Sequence, residues 1–507
     1  MKENNLKHFL SPWIKNLPKI NINNLVLDSR KLISNKDVFI AVKGKRKDGH
    51  SFIFHAISRK VAAILSETTK KKQHGKINYI NNIPIISFFN ISKKLSILAE
   101  RFYHKPSSRL KVIGITGTNG KTTVAQLINQ WNELLGNKIA TMGTLGNGLH
   151  NFLKPAINTT SSAIDIQSFL HSVLNKVKLV TMEVSSHGLV QNRVKNILFH
   201  TAIFTNLTQD HLDYHENMQK YELAKLSLFT DHKVNKIILN ANDKYAQNWL
   251  KKFSDKYTVA VTIQDSRQKK YATKWINAIS IKIDSKKTDI TFESSWGKGV
   301  LSSCLIGSFN VENLLLSLAC MLEMNYKLSA LIKTSIKLKP IYGRMQKFDF
   351  IRKPICIIDY AHTPDALKKA LDAIKLQYSK KKIWCIFGCG GERDKKKRPV
   401  MGKIAEKIAD KVIITNDNPR NENPNTIIKE IITGCIKKEK IIIIPNRKKA
   451  ISYVFFRSNA NDIIFIAGKG HENYQIIGNQ NIYYSDQAIV LNLLEKKHDS
   501  YFVKKNC

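Results

Sequence analysis

Short apolar runs alternate with longer polar stretches along this chain, and that alternation predicts its elements. Runs at 37–42, 61–65 and 83–88 have strand length, and short apolar runs bounded by turn signals read as buried strands. The segment Lys105-Pro106-Ser107-Ser108 then predicts a linker. A second series opens at 111–115, continues through a helical pattern at 124–135, and has further strand candidates at 179–184, 202–206 and 237–240. A third begins near Lys339-Pro340, with strands expected at 355–359, 383–388, 412–415, 441–445 and 463–467. Strands that alternate with helical stretches predict parallel α/β sheets. At 507 residues the chain has room for about three or four domains. The expected division is 1–108, 109–338 and 339–507: an N-terminal α/β domain, a central P-loop ATPase-like domain on a parallel sheet, and a C-terminal Rossmann-like domain.

Composition narrows the class. Hydrophobic content of 43% supplies an ordinary globular core. No apolar run reaches the length of about 18 residues that a membrane helix needs, so no membrane association is expected. The first residues are basic but lack an apolar signal core. Seven cysteines are scattered without a CxxC pair, which fits a reducing cytoplasm and offers no zinc spacing. The net charge of +43 raises nucleic-acid binding as a possibility. Lys, Asn and Ile are abundant together, however, and the lysines are spread along the chain. Compositional drift explains that pattern better, and no nucleic-acid partner is expected. The excess positive charge still favours anionic substrates.

The segment 117–123, GTNGKTT, lies between an expected strand and an expected helix. That is the context of a phosphate-binding loop, here Gly117, Thr118, Asn119, Gly120, Lys121, Thr122 and Thr123. Glycines let backbone N–H groups approach phosphate oxygens, and the following helix points its positive end at the same anion. Lys121 would reach the β- and γ-phosphates of ATP, and the Thr122 hydroxyl would face Mg²⁺. The eight-residue pattern lacks its first glycine, since Ile115 stands there. Glu183 ends an expected strand, where a carboxylate near a phosphate loop is well placed to hold the metal. Ser185 and Ser186 precede His187, but no G-x-S-x-G context supports a serine hydrolase.

With these segments the sequence resembles the Mur ligase family, whose members join amino acids to a UDP-linked muramic acid precursor. The resemblance rests on TGTNGKTT, NTT at 158–160, MEVSSHGLVQNRV at 182–194 and TNLTQDHLDYH at 205–215. It continues through YGRMQ at 342–346, DYAHTPDAL at 359–367, FGCGGERDKKKRP at 387–399, DNPR at 417–420 and GKGHE at 468–472. These occur in family order across nearly the whole chain.

The resemblance implies addition of meso-2,6-diaminopimelate to the D-glutamate γ-carboxylate of UDP-N-acetylmuramoyl-L-alanyl-D-glutamate, through an acyl phosphate, by a monomer acting in peptidoglycan synthesis. It implies that His211 joins Thr122 and Glu183 near Mg²⁺, and that Lys225 carries a carbamate (N6-carboxylysine). Asn310, Arg344 and Asp359 match positions used around ATP. Leu27, Ser29, Lys45, Arg46 and Lys47 match the UDP end, and Asn158, Thr159, Thr160, Ser185, Gln191 and Arg193 the muramoyl dipeptide. Arg393, Asp417, Asn418, Pro419, Arg420, Gly468 and Glu472 match the amino-acid site. Arginine grips carboxylates bidentately, and diaminopimelate has a second carboxylate that lysine lacks. A lysine-adding ligase of the same family is the nearest rival, and DNPR argues against it. A folate polyglutamate ligase shares the ATP loop but fits NTT, MEVSSHGLVQ and DNPR poorly. A basic nucleic-acid-binding ATPase leaves the C-terminal motifs unexplained. One departure is SDQ at 485–487, where relatives carry a basic residue after SD.

Overall fold

The computed structural model describes residues 4–44, 47–263, 267–284 and 286–495. The chain forms two units, Met1–Gly114 with Lys138–Ala202 and Ala224–Asn235, and Ile115–Asn137 with Ile203–Leu223 and Lys236–Cys507.

The first unit begins with a five-stranded sheet ordered Asn24–Val26, Asp37–Ala41, Ala63–Thr68, Ile83–Phe89, Ile77–Ile80. The first four strands are parallel and the last is antiparallel. Asp37–Ala41 is buried along its whole length, as a strand covered on both faces must be. Leu6, Phe9 and Leu98 pack on one side of this sheet, and Ala56 and Ile57 on the other. The buried Asp37 carboxylate accepts hydrogen bonds from Ile33 N, Ser34 N and Asn24 Nδ2, which offsets the cost of removing a charge from water. The expected linker at 105–108 is a packed turn. Pro106–Arg109 is a 3₁₀ helix with Pro106 and Ser107 buried, and Ser107 Oγ accepts from Leu198 N at 3.2 Å. A local Pro-Ser signal cannot tell a tether from a turn whose hydroxyl finds a distant partner. The same unit holds strands ordered Phe152–Lys154, Gly146–Leu149, Ile139–Gly143, Leu179–Glu183.

In the second unit, Val234–Asn240, Thr258–Ile263 and Lys274–Ile283 run parallel. Thr288–Ser294 and Gly297–Ser303 then fold back antiparallel, so the parallel sheet expected for the central region is a mixed one. These added strands carry polar residues on one face, which weakens their apolar signal. The C-terminal sheet is ordered Gln346–Phe348, Ile355–Asp359, Ile463–Ala467, Ile383–Phe387, Lys411–Ile414, Ile441–Ile443. All but the first strand are parallel. Helices on its two faces bury separate apolar layers, one around Leu367, Leu371 and Met401 and the other around Ile451, Val454 and Val490. The strand ends Asp359, Phe387, Ile414 and Ala467 therefore lie at one sheet edge, the place where parallel α/β sheets bind ligands.

Candidate active site

The phosphate loop links the strand Lys111–Thr116 to the helix Lys121–Leu134. Its glycines answer to close packing. Gly117 has φ 148°, and a Cβ there would stand 1.9 Å from Thr205 Oγ1. Gly120, at the helix N-cap, has φ 86°, and its Cβ would stand 2.4 Å from Asn313 Oδ1. Only glycine meets both demands. Thr205 donates to the Asn119 carbonyl, and Asn206 Oδ1 accepts from Asn119 N, so the TNLT segment braces the loop. Lys121 curls over the loop and donates to the Gly117 and Thr118 carbonyls at 2.8 and 2.9 Å. Asn310 donates to the Ile306 carbonyl and accepts from Asn313 Nδ2. Asn310 therefore touches the loop through Asn313, a residue the sequence reading passed over although NVEN contains both.

Arg344 lies beside Thr122, with 3.4 Å between Nη2 and Oγ1, and its guanidinium stacks 4.3 Å from the Tyr360 ring centroid. Its buried Nε finds no protein acceptor among the described residues. Asp359 closes its strand and accepts from Met345 N at 2.7 Å, which fixes the turn that carries Arg344. Burial pushes the Asp359 carboxyl upward, opposed by Arg344 and by backbone N–H groups. His211 has φ 55° and caps a short helix. Its Nε2 is 3.4 Å from Asp210 Oδ2, and His362 Nε2 is 3.8 Å from the same oxygen. Burial would raise the Asp210 pKa, but His362, His211 and Lys397 outweigh it and hold the carboxyl well below its usual range. Asp210 and His362 sit inside TQDH and DYAH. Their adjacency to singled-out residues was the available signal, and it went unused.

In the first unit, Glu183 is 2% exposed and accepts from Thr144 N at 2.9 Å and Thr144 Oγ1 at 3.0 Å. Thr144 Oγ1 lies 3.1 Å from Thr159 Oγ1. Thr160 Oγ1 donates to the Glu183 carbonyl and meets Ser185. Arg193 donates to Gln191 Oε1 and to the Thr160 carbonyl. One polar patch thus gathers Thr159, Thr160, Glu183, Ser185, Gln191 and Arg193, with Asn158 exposed beside it. Lys225, on the helix Met218–Thr230, is 1% exposed, so it is not the solvated helix lysine its sequence surroundings suggest. Ser29 is buried at the start of a 3₁₀ turn capped by Asp28, Leu27 is half-buried, and Lys47 is exposed. Lys45 and Arg46 lie outside the described residues.

Among the described residues, no three His, Cys, Asp or Glu side chains gather to hold a metal. The donor set expected here is a hydroxyl, a carboxylate, an imidazole and a lysine-borne group. The hydroxyl, the carboxylate and a lysine carbamate are oxygen donors, which suit Mg²⁺, whereas the imidazole is a nitrogen donor that suits it less; Mg²⁺ keeps water and phosphate oxygens in its shell and needs few protein ligands.

At the C-terminal sheet edge, Arg393 and Arg420 flank Gly390, whose Cβ would stand 3.0 Å from Arg420 Nη1 and 3.6 Å from Arg393 Cγ. Arg420 has φ 54° and donates to the Gly391 and Asn418 carbonyls. Burial and the Arg393 charge push the Arg420 pKa down. Asn418 donates to Glu472 Oε2 at 3.0 Å and accepts from Ile476 N at 2.9 Å. Its amide is thus committed to the protein, and Pro419 is buried beside it. Gly468 has φ 111°, and a Cβ there would stand 2.7 Å from Asp417 Oδ2. Burial alone would raise the Asp417 pKa, but Lys469 and Arg447 hold it low. The Asp486 of SDQ is buried and pairs with Arg447, while Gln487 is half-buried beside it. The SD pair therefore anchors a helix start, and the departure at Gln487 leaves that pair intact.

A glycine loop braced in this way, on a strand-to-helix turn of an α/β sheet, is that of a nucleotide-handling enzyme. Three family descriptions match the chain in sequence: Mur ligase family, catalytic domain, at 21–103; Mur ligase middle domain at 115–321; and Mur ligase, glutamate ligase domain, at 343–470. The UDP-N-acetylmuramoyl-L-alanyl-D-glutamate--2,6-diaminopimelate ligase of Buchnera aphidicola subsp. Schizaphis graminum is 72% identical over 498 residues, covering 98% of this chain and 100% of that protein. The protein of the same name from Haemophilus influenzae (strain 86-028NP) is 46% identical over 488 residues, covering 96% and 99%. A solved structure of a ligase of that name superposes with a TM-score of 0.66 at 30% identity, covering 98% of this chain and 100% of that one. The chain belongs to the Mur ligase family, and its three-part α/β architecture is that family's.

Proposed function

We propose that this protein is the ATP-dependent ligase that joins meso-2,6-diaminopimelate to the D-glutamate γ-carboxylate of UDP-N-acetylmuramoyl-L-alanyl-D-glutamate in peptidoglycan synthesis. The observation that carries this reading is the Arg393–Arg420 pair across Gly390, in a chain 72% identical to a ligase of that name. Two arginines side by side suit a substrate with two carboxylates. In this reading 1–108 takes the UDP end, the P-loop region 109–338 takes ATP, and the Rossmann-like region 339–507 takes the amino acid. The protein works as a cytoplasmic monomer.

The γ-carboxylate attacks the γ-phosphorus of ATP, ADP leaves, and an acyl phosphate forms. The neutral amine of diaminopimelate then adds to the acyl carbon and expels phosphate. Backbone N–H groups of 117–123 and Lys121 hold the phosphates. Arg344 neutralises charge as it spreads over the transferring group, and positioning of this kind is most of what phosphoryl transfer needs. Thr159, Thr160, Ser185, Gln191 and Arg193 orient the muramoyl dipeptide, and Glu472 receives a substrate ammonium. Thr122, Glu183, His211 and carbamylated Lys225 would hold Mg²⁺, which supplies further positive charge at the phosphate oxygens. The test is phosphate release with each of the three substrates omitted in turn, and with lysine replacing diaminopimelate. Full release without the UDP-dipeptide, or equal use of lysine, would overturn the assignment.

A further inference from the structure

Lys469 is a fully buried cation to which the reaction as derived gives no role. Its side chain is 0% exposed, and it donates from Nζ to Asn418 Oδ1 at 2.9 Å and to Glu472 Oε2 at 3.0 Å. Asp417 Oδ1 stands 3.5 Å away. Every one of these partners belongs to the amino-acid site. The lysine therefore joins the two segments that build the site, DNPR and GKGHE, at the point where both carboxylates converge.

Burying an ammonium is costly unless charge and hydrogen bonds are returned to it, so a place of this kind is set by what the charge does. Around it Asp417, Glu472 and Glu392 face Arg393, Arg420 and Arg447, and removing Lys469 makes that group one unit more negative. The incoming amine must be neutral to act as a nucleophile. Diaminopimelate in that state has two carboxylates and one ammonium, and so one net negative charge. Lysine in that state is neutral overall. The buried Lys469 charge therefore favours the first over the second, and a charge shielded from water acts more strongly than a solvated one.

We infer that Lys469 is a specificity-determining and positioning residue, which sets the charge of the amino-acid site to favour a dicarboxylic diamine over a monocarboxylic one. This rests on the function proposed above, and the two are tested by different readings. The wild-type ratio of kcat/KM for diaminopimelate to that for lysine tests the function. The change of that ratio on substitution tests Lys469.

The experiment is steady-state kinetics on the full chain with Lys469→Met, which keeps the length of the stem and removes the charge. The ratio should fall about tenfold or more, while KM for ATP and for the UDP-dipeptide stays within about twofold. Lys469→Arg keeps the charge and should leave the ratio within about twofold of wild type; it decides the matter if Lys469→Met does not fold, since a loss of the ratio by about tenfold with the charge kept would overturn the proposal. A ratio unchanged in a folded variant, with both amino acids losing equally, would show a scaffold lysine and overturn the proposal.

Discussion

At Gly117 the phosphate loop leaves no room for a side chain. A methyl group there would meet Thr205 Oγ1 at 1.9 Å, at a φ of 148° that L-residues avoid. Gly117→Ala should therefore cost about 1–3 kcal/mol of stability and raise KM for ATP more than KM for diaminopimelate. Thermal unfolding and a kinetic comparison would check it, and an unchanged KM for ATP would show that the loop does not carry the nucleotide. Lys225 makes a different demand. Its 1% exposure sets it apart from the solvated lysines of this basic chain, and a carbamate would turn a buried cation into an anion able to meet a metal or substrate. Lys225→Ala should lower kcat by about 10–100-fold or more, and a short carboxylic acid added to the assay should restore part of it. Full activity without the acid would rule out the modification.

Elements are joined beside Arg393 and Arg420 by Arg398, which is wholly buried at the start of the helix Lys397–Ile408. It donates to Glu422 at 2.6 and 2.8 Å, to Glu430 at 2.6 Å and to the Gly390 carbonyl at 3.1 Å. One guanidinium thus ties this helix to Pro424–Ile432 and to the Gly390 turn that Arg393 and Arg420 flank. The Arg398 hydrogen bonds, with burial opposing them, hold the Glu422 pKa at about 2, down from 4.5. A carboxyl depressed on folding contributes stability that is complete above its unfolded pKa and is lost as pH falls through its folded one. Wild-type stability should therefore drop between about pH 4.5 and 2, and Glu422→Gln should flatten that drop while lowering stability at neutral pH. Urea midpoints across this range measure both, and parallel curves for the two proteins would count against the joint. Such a joint marks where sequence stops being informative. Strands such as Ile355–Asp359 and Ile463–Ala467 were readable because a strand buried on both faces must be a continuous apolar run. The loop 117–123 was readable because backbone geometry demands glycine there. Arg398, Lys469 and Asp210 were not, because burial of a charge depends on partners 24, 51 or 152 residues away, as with Glu422, Asn418 and His362. Among 82 lysines and arginines, nothing local separates an internal cation from a surface one. The antiparallel strands Lys274–Ile283 to Gly297–Ser303 escaped notice for a related reason, since their exposed faces dilute the apolar signal.

The whole molecule carries 82 basic against 39 acidic side chains, and this excess acts at long range. Self-repulsion at a net charge of +43 opposes compaction, so added salt should raise the unfolding midpoint before any specific effect appears. The same field draws in anions, and the substrates differ in what it does to them. ATP and the UDP-dipeptide carry several negative charges, whereas diaminopimelate is close to neutral overall. Raising ionic strength from about 0.01 M to about 0.15 M shortens the screening length from about 30 Å to about 8 Å. Long-range attraction is lost over that range, while contacts inside the site are little affected. kcat/KM for the UDP-dipeptide should then fall several-fold with salt, kcat/KM for diaminopimelate should change much less, and kcat at saturation should hold. Equal salt dependence for all three substrates would instead place the effect on folding or on the chemical step, and would make the positive excess a matter of composition alone.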